Sequence, residues 1–128
     1  MDPLFLCLCK LYTLNKLLTS LFIFINRRQT VDSFGLCSFD DPVKVLIELQ
    51  RVCKPGGKIL LLEHGRSKTY LGLSGYLDKH AERHAKNWGC CWNRDIDQIV
   101  EDAGLELVKK DCWHFGTTYY MVCRPKSN

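Results

Sequence analysis

One stretch, residues 30–64, constrains the fold more than any other, because it predicts a strand, a helix and a second strand in direct succession. The first strand, Thr30–Leu36, is largely apolar and ends at a glycine-containing break. Asp40 or Asp41 is placed to cap the following helix. Pro42 occupies the first helical position, where its missing amide hydrogen costs nothing.

The rest of this stretch predicts a parallel pair of strands. Apolar residues recur at helical spacing and give the helix one face that packs on a sheet: Val43, Leu46, Ile47, Leu49, Val52 and Cys53. Pro55-Gly56-Gly57 ends the helix, and the apolar run Lys58–Leu62 is typical of a strand buried on both faces. The connection is long enough for a right-handed parallel crossover, so the stretch predicts an α/β fold.

Two more helices and a hairpin are predicted beyond this unit. Residues 74–86 have helical composition, and Asn93 is placed to cap a helix that runs to about Ala103. Gly104–Trp113 alternates as a strand, and Thr117–Cys123 is its predicted antiparallel partner. The predicted sheet therefore has four strands.

Four motifs carry a resemblance to a known family: VDSFGLCS, RVCKPGGK, ILLLEHG and EDAGLELV. They resemble the fourth strand, the next helix, the fifth strand and the closing segment of class I S-adenosylmethionine-dependent methyltransferases. The likeness is to the type-eleven, ubiquinone-biosynthesis-like group, and above all to fungal mitochondrial methyltransferase-like membrane proteins. It covers roughly Thr30 to Pro125 and implies a partial Rossmann-like sheet whose last strand is antiparallel.

The resemblance also implies that a cofactor-binding half is missing from these residues. In the family, a glycine-rich turn and two acidic residues before this stretch hold S-adenosylmethionine, but the sequence contains no G-x-G-x-G. We therefore interpret residues 30–128 as the C-terminal half of a methyltransferase-like domain. We expect the chain alone to bind S-adenosylmethionine weakly or not at all and to be inactive.

The resemblance places candidate site residues at the ends of two strands. Three residues at the end of the first strand would lie beside the methionine part of the cofactor: Gly35, Leu36 and Cys37. Glu63 and His64, at the end of the next strand, would face the same crevice, and His64 is the candidate catalytic base. Alternatively, this strand end binds a nearby arginine or backbone amides. Asp32 is expected to bind a neighbouring helix end or loop.

The helix within residues 65–89 is a candidate substrate lid, because an insertion at this position covers the active site in the family. Tyr76, His80 and His84 would carry that role; the alternative is a solvated amphipathic helix. His80 and His84 have the four-residue spacing of metal ligands on a helix. Since the sequence places no third ligand, no metal site is predicted.

The segment Trp88–Trp92 is interpreted either as a hydrophobic staple before the next helix or as an apolar wall near the pocket. Cys90 and Cys91 would need a basic neighbour or further ligands to be reactive or to bind a metal, and the sequence does not place any. The eight cysteines show no C-x-x-C pairing, so we expect reduced thiols rather than a disulfide framework.

Residues 1–29 form an apolar N-terminal segment outside the resemblance. The run Leu17–Ile25 is strongly apolar, but Lys10, Asn15 and Lys16 prevent a full membrane-spanning length. Three interpretations stay open: a marginal anchor or targeting-like segment, a helix packed on the sheet, or a non-native start from a shifted or truncated gene model. The resemblance implies mitochondrial localisation, with the inner membrane as one option.

A second class of function is a non-catalytic remnant that acts as a membrane-associated or protein-interaction module. The sheet edge left by the missing strands would then pair with another copy or with a protein partner. The net charge of +4 is mild and the basic residues are spread along the chain, so no nucleic-acid partner is predicted. No motif names the methyl acceptor.

Overall fold

The computed structural model describes residues 28–126, and the features below are those of that part of the chain. It contains four strands and three helices: a strand–helix–strand unit, then two helices and two strands. Their bounds are β1 Gln29–Ser33, α1 Pro42–Val52, β2 Lys58–His64, α2 Leu71–Trp88, α3 Ile96–Asp102, β3 Leu105–Trp113 and β4 Thr118–Pro125.

The strands form one sheet in the order β1-β2-β4-β3. β1 and β2 are parallel, and α1 makes the crossover between them. β4 is antiparallel to both β2 and β3, so the last strand lies inside the sheet. A bulge at Val108 shifts the register between β3 and β4. The predicted α/β class, the four strands and the antiparallel final strand are confirmed.

Local sequence chemistry explains the first helix. Of the two candidate caps, Asp41 is the one used: its side chain accepts the backbone N–H of Lys44 at 3.0 Å. Pro42 stands at the first helical position, as predicted. Leu46 and Leu49 are buried against the sheet. The hydrophobic face of α1 therefore anchors the crossover on the strands it connects.

The main hydrophobic core lies between the sheet and helices α1 and α3. Its buried members come from strands β2, β3 and β4, from both helices and from the segments beside them: Leu36, Leu46, Leu49, Cys53, Ile59, Leu61, Ile96, Val100, Ala103, Leu105, Tyr119, Met121 and Cys123. A second, smaller cluster contains Cys37, Leu77, Cys90 and Trp92. This second cluster joins α2 to the segment after β1, where the resemblance places the site.

Three predicted boundaries were wrong. β1 ends at Ser33 rather than at residue 36, because Phe34 takes a positive φ of 55° and turns the chain away from the sheet. The lid helix is longer than residues 74–86. The cap of α3 is Asp95, whose side chain accepts the N–H of Gln98 at 3.1 Å, whereas Asn93 donates its side-chain amide to Asp78.

The expectations for the N-terminal segment, including its apolar helix and its possible role as an anchor, concern residues that lie almost wholly outside the described range. Among residues 28–126, no helix has both the length and the apolar character needed to cross a bilayer.

Candidate functional site

The segment after β1 is held by a carboxylate on β2. One Glu63 oxygen accepts the backbone N–H of Gly35 at 3.3 Å, and the other accepts that of Leu36 at 3.2 Å. Glycine is needed at position 35, because a Cβ there would lie 2.3 Å from Asp32 Oδ1. Of the two interpretations of Glu63, the structure shows the binding of backbone amides.

The carbonyl groups of this segment are engaged as well. Leu36 O accepts a bond from Arg94 Nη1 at 2.5 Å, and Cys37 O accepts the backbone N–H of Cys91 at 2.8 Å. Gly35, Leu36 and Cys37 are all buried. Residues 35–37, called the wall below, therefore have most of their backbone N–H and C=O groups already hydrogen-bonded within residues 28–126. These residues do not by themselves fit S-adenosylmethionine.

A cluster of two thiols and one imidazole lies directly beside this wall. The ligand atoms of Cys37, His64 and Cys90 all lie within 4.8 Å of one another, and all three residues are buried. His64 Nε2 is 2.7 Å from Cys90 Sγ. The three residues come from three segments: the turn after β1, the end of β2 and the connection between α2 and α3.

The environment of this cluster favours a thiolate. A hydrogen bond from the Cys90 side chain lowers the pKa of Cys37 to about 4, and the imidazole of His64 adds to the effect, while burial opposes it. The pKa of His84 is lowered, first by burial and then by the charge of His64. Both neighbours of Cys37 in the cluster therefore favour its thiolate form.

Two buried carboxyl groups lie close to this thiolate. Burial is the main cause that raises the pKa of Asp32 to about 7, and the charge of Cys37 adds to it. The Glu63 side chain offsets part of that rise, although no well-formed hydrogen bond joins the two carboxyls. The pKa of Glu63 is also raised, again first by burial and then by Asp32.

The expected role of Asp32 was wrong. Neither of its carboxylate oxygens meets a hydrogen-bond partner among the described residues, so it binds no helix end or loop there. Asp32 is fully buried under Gly35 instead. A carboxyl group in this position costs folding free energy, and the charged form costs more than the protonated form.

The predicted lid residues lie on α2 but face different surroundings. Tyr76 is exposed, and its ring lies 4.5 Å from that of His80. His84 is buried and stacks on Trp92, with ring centroids 3.8 Å apart. His84 is thus held by an aromatic contact, and no cluster of metal-ligating residues within the described range includes His80 and His84.

The segment Trp88–Trp92 lies against the wall. Trp92 donates its indole N–H to the carbonyl of Leu77 at 2.9 Å, and Cys90 belongs to the same buried cluster as Cys37. The sequence alone places no basic neighbour or further ligand near Cys90, whereas the structure supplies His64 and Cys37. In the sequence, the feature that these three residues share is a position at or just beyond the end of a predicted helix or strand.

Comparisons with known proteins relate the sequence of this chain to methyltransferases. The sequence model of the ubiE/COQ5 methyltransferase family matches residues 27–83. The yeast protein "Methyltransferase OMS1, mitochondrial" (Saccharomyces cerevisiae) is 45% identical over 98 residues, which are 77% of this chain and 21% of that protein. The ubiquinone/menaquinone biosynthesis C-methyltransferase UbiE of Bdellovibrio bacteriovorus is 53% identical over 34 residues, 27% of this chain and 14% of that protein. The chain thus spans about a fifth or less of the length of these relatives.

Solved structures show the same fold at low sequence identity. An O-methyltransferase family protein of Burkholderia thailandensis has a TM-score of 0.58 at 18% identity, covering 78% of this chain and 30% of that one. LepI, solved in complex with SAM, has a TM-score of 0.58 at 13% identity, with 77% and 26% covered. A Bacillus halodurans protein with a provisional methyltransferase assignment has a TM-score of 0.60 at 15% identity, with 80% and 73% covered.

The sheet order and these matches together define the class I S-adenosylmethionine-dependent methyltransferase fold, of which this chain carries part. Within that class, its sequence is similar to the ubiE/COQ5 methyltransferases and to the mitochondrial methyltransferase of yeast. The family resemblance found in the motifs is confirmed.

Proposed function

We propose that residues 30–126 form the acceptor-side wall of an S-adenosylmethionine-dependent methyltransferase site. One observation carries this proposal: Glu63 at the end of β2 fixes the segment after β1, so the ends of two neighbouring parallel strands meet at one edge of the sheet. Ligands bind at this edge in open α/β sheets. The match of residues 27–83 to a methyltransferase family supports the proposal.

In this proposal, the residues after β1 border the methionine part of the cofactor: Gly35, Leu36 and Cys37. Tyr76 and His80 form the outer face of the lid, and His84 supports it from inside by its stacking on Trp92. His64 remains the candidate base at the end of β2. The cofactor supplies the methyl group when it is bound, and this chain's residues orient the acceptor against the wall.

We further propose that the 128 residues alone bind S-adenosylmethionine weakly or not at all and do not catalyse methyl transfer. The engaged amides and carbonyls of residues 35–37 support this, as does the lack of a G-x-G-x-G motif in the sequence. Methyl transfer needs the donor and the acceptor held in line, and the described wall offers only one side of such a site.

Calorimetry tests both statements. S-adenosylmethionine is titrated into the chain alone, and into a fusion in which residues 30–128 replace the matching segment of the yeast relative. We expect no micromolar binding by the chain alone and binding by the fusion.

Gly35→Ala should weaken binding by the fusion, because it displaces the wall, whereas Gly75→Ala on the exposed face of α2 should not. A fusion that folds but does not bind would contradict the wall, and micromolar binding by the chain alone would contradict the second statement.

A non-catalytic interaction module is the second candidate. β1 is the end strand of the described sheet. It pairs with the parallel strand β2 on one side, and no described strand pairs with its other side. Such an edge pairs readily with a strand from another chain. Light scattering after size-exclusion chromatography tests the idea: a dimer, or a complex with the preceding half of a relative, is expected, and a monomer under both conditions would contradict it.

We propose mitochondrial localisation, since the yeast relative is a mitochondrial protein by name. Association with the inner membrane is the finer proposal and would require residues 1–29. Fractionation of cells that express the full chain, followed by carbonate extraction of the mitochondria, tests both. Recovery in the cytosol would contradict the first, and release by carbonate would contradict membrane insertion.

A further inference from the structure

We propose that Cys37, His64 and Cys90 form a binding site for one zinc ion, at the inner side of the wall after β1. The site has three protein ligands from three separate segments, all buried and all within 4.8 Å of one another. The site shares Cys37 and His64 with the proposed methyl-transfer site, so with zinc bound His64 would be a metal ligand rather than the candidate base, and zinc binding is measured without the cofactor.

The separations of the ligand atoms suit a tetrahedral ion. With Zn–S bonds of about 2.3 Å and Zn–N bonds of about 2.0 Å, ligand atoms at tetrahedral angles lie roughly 3.5–3.8 Å apart. In the structure His64 Nε2 and Cys90 Sγ are 2.7 Å apart, and no two of the three ligand atoms are more than 4.8 Å apart. Opening the His64–Cys90 pair by about 1 Å would bring this pair to the expected spacing.

Hydrogen bonds already hold the three segments in place relative to one another. The N–H of Cys91, next to Cys90, donates to Cys37 O at 2.8 Å, and Arg94 reaches across to the carbonyl of Leu36. His64 lies in the ladder between β2 and β4, opposite Thr118. The ligands are therefore held before any ion binds, which lowers the entropic cost of binding.

The donor set selects the kind of ion. Two thiolates and one imidazole favour zinc over magnesium or calcium, which prefer oxygen ligands. The charges also balance: two thiolates neutralise Zn²⁺ in a buried place where an unpaired charge would be costly. Zinc binds cysteine as the thiolate and histidine as the neutral imidazole, so any protons that these three side chains carry leave to solvent when the ion binds, and no electron is transferred.

Three protein ligands leave a fourth position open, as in zinc sites that bind water or a substrate group. The side chain of Glu63, the nearest acid on β2, is already used by two backbone amides. Glu63 is therefore not placed to fill the fourth position, and the other buried acid near Cys37 is Asp32. An ion here would tie the wall segment to β2 and to the segment after α2.

Cobalt substitution is the test, because it requires no mutation. The full 128-residue chain, kept reduced with a non-thiol reductant and stripped with a chelator, is titrated with Co²⁺ and then with Zn²⁺. We expect one equivalent of Co²⁺ to produce a thiolate-to-metal charge-transfer band with tetrahedral visible bands, and Zn²⁺ to abolish both. Absence of the charge-transfer band would overturn the proposal, as would a Cys37–Cys90 disulfide that persists under these conditions.

Variants then assign the ligands. Cys37→Ser and Cys90→Ser should each weaken Zn²⁺ binding by about 100-fold or more, since they remove a ligand. Cys91→Ser is the matched control, because Cys91 is the immediate neighbour of Cys90 and lies outside the cluster. A variant with serine at both Cys7 and Cys9 should also bind as the parent does. Loss of the band in either control, or its survival in Cys90→Ser, would overturn the assignment.

Discussion

The buried carboxyl of Asp32 gives the sharpest prediction about stability. Its pKa is raised from 3.8 to about 7, mainly by burial. Between these two values the folded protein keeps the proton that the unfolded chain has lost, so the free energy of unfolding decreases as the pH rises through this window. Asp32→Asn removes the charge while keeping the shape, and should therefore stabilise the protein most at the upper end of the window.

The size of the effect follows from the shift, taken as an upper limit. Moving a carboxyl pKa from 3.8 to about 7 corresponds to about 4 kcal/mol once the pH is above both values. At about pH 5, where the folded carboxyl is still protonated, the same linkage leaves about 2 kcal/mol. The gain from Asp32→Asn should thus roughly double between about pH 5 and about pH 8.

Urea denaturation of parent and variant at these two pH values, with a chelator present, measures the gain directly. Asp40→Asn is the control, because Asp40 is exposed and its replacement should change little at either pH. The reasoning about buried charge is refuted if Asp32→Asn is less stable than the parent at the higher pH, or if its gain is the same at both.

Four further substitutions test the packing, each by urea denaturation near neutral pH. Gly35→Ala should lower the free energy of unfolding by about 1–3 kcal/mol, because its Cβ would overlap the carboxylate of Asp32. Gly75→Ala, with open space around it in α2, should raise it by about 0.5–1 kcal/mol. Equal stabilities of the two variants would contradict the crowding at Gly35. Leu61→Ala should cost about 2–5 kcal/mol, since Leu61 is fully buried in β2, and a cost under about 1 kcal/mol would mean that the strand is not in the core. Trp92→Phe should cost about 1 kcal/mol through the lost indole hydrogen bond, and an unchanged stability would show that this bond contributes nothing.

The sequence predicted the central βαβ unit well because local and long-range signals agree there. Asp41 and Pro42 start α1, and β2 pairs with a parallel neighbour, with Ile59 and Leu61 buried and Leu60 and Leu62 half-buried. The end of β1 was missed because the positive φ of Phe34 is set by contacts with other segments rather than by its own preference. Asn93 and Asp95 both suit a helix cap, and only tertiary contacts distinguish them.

The site was harder to predict, since its residues meet only through the fold. Glu63 could bind an arginine or backbone amides, and the turn after β1 decides in favour of the amides. Cys37, His64 and Cys90 follow no metal-binding spacing, because each comes from a different segment. Sequence spacing reveals ligands that share a helix or a loop, but not ligands that tertiary structure brings together.

The position of β4 has a consequence for how this fold forms. β4 follows the other three strands in the chain, yet it lies between β2 and β3 and contributes Tyr119, Met121 and Cys123 to the core. During synthesis, the edge of β2 that pairs with β4 stays unpaired until β4 has left the ribosome. Chaperones that cover unpaired strands would therefore meet this protein before its sheet is complete.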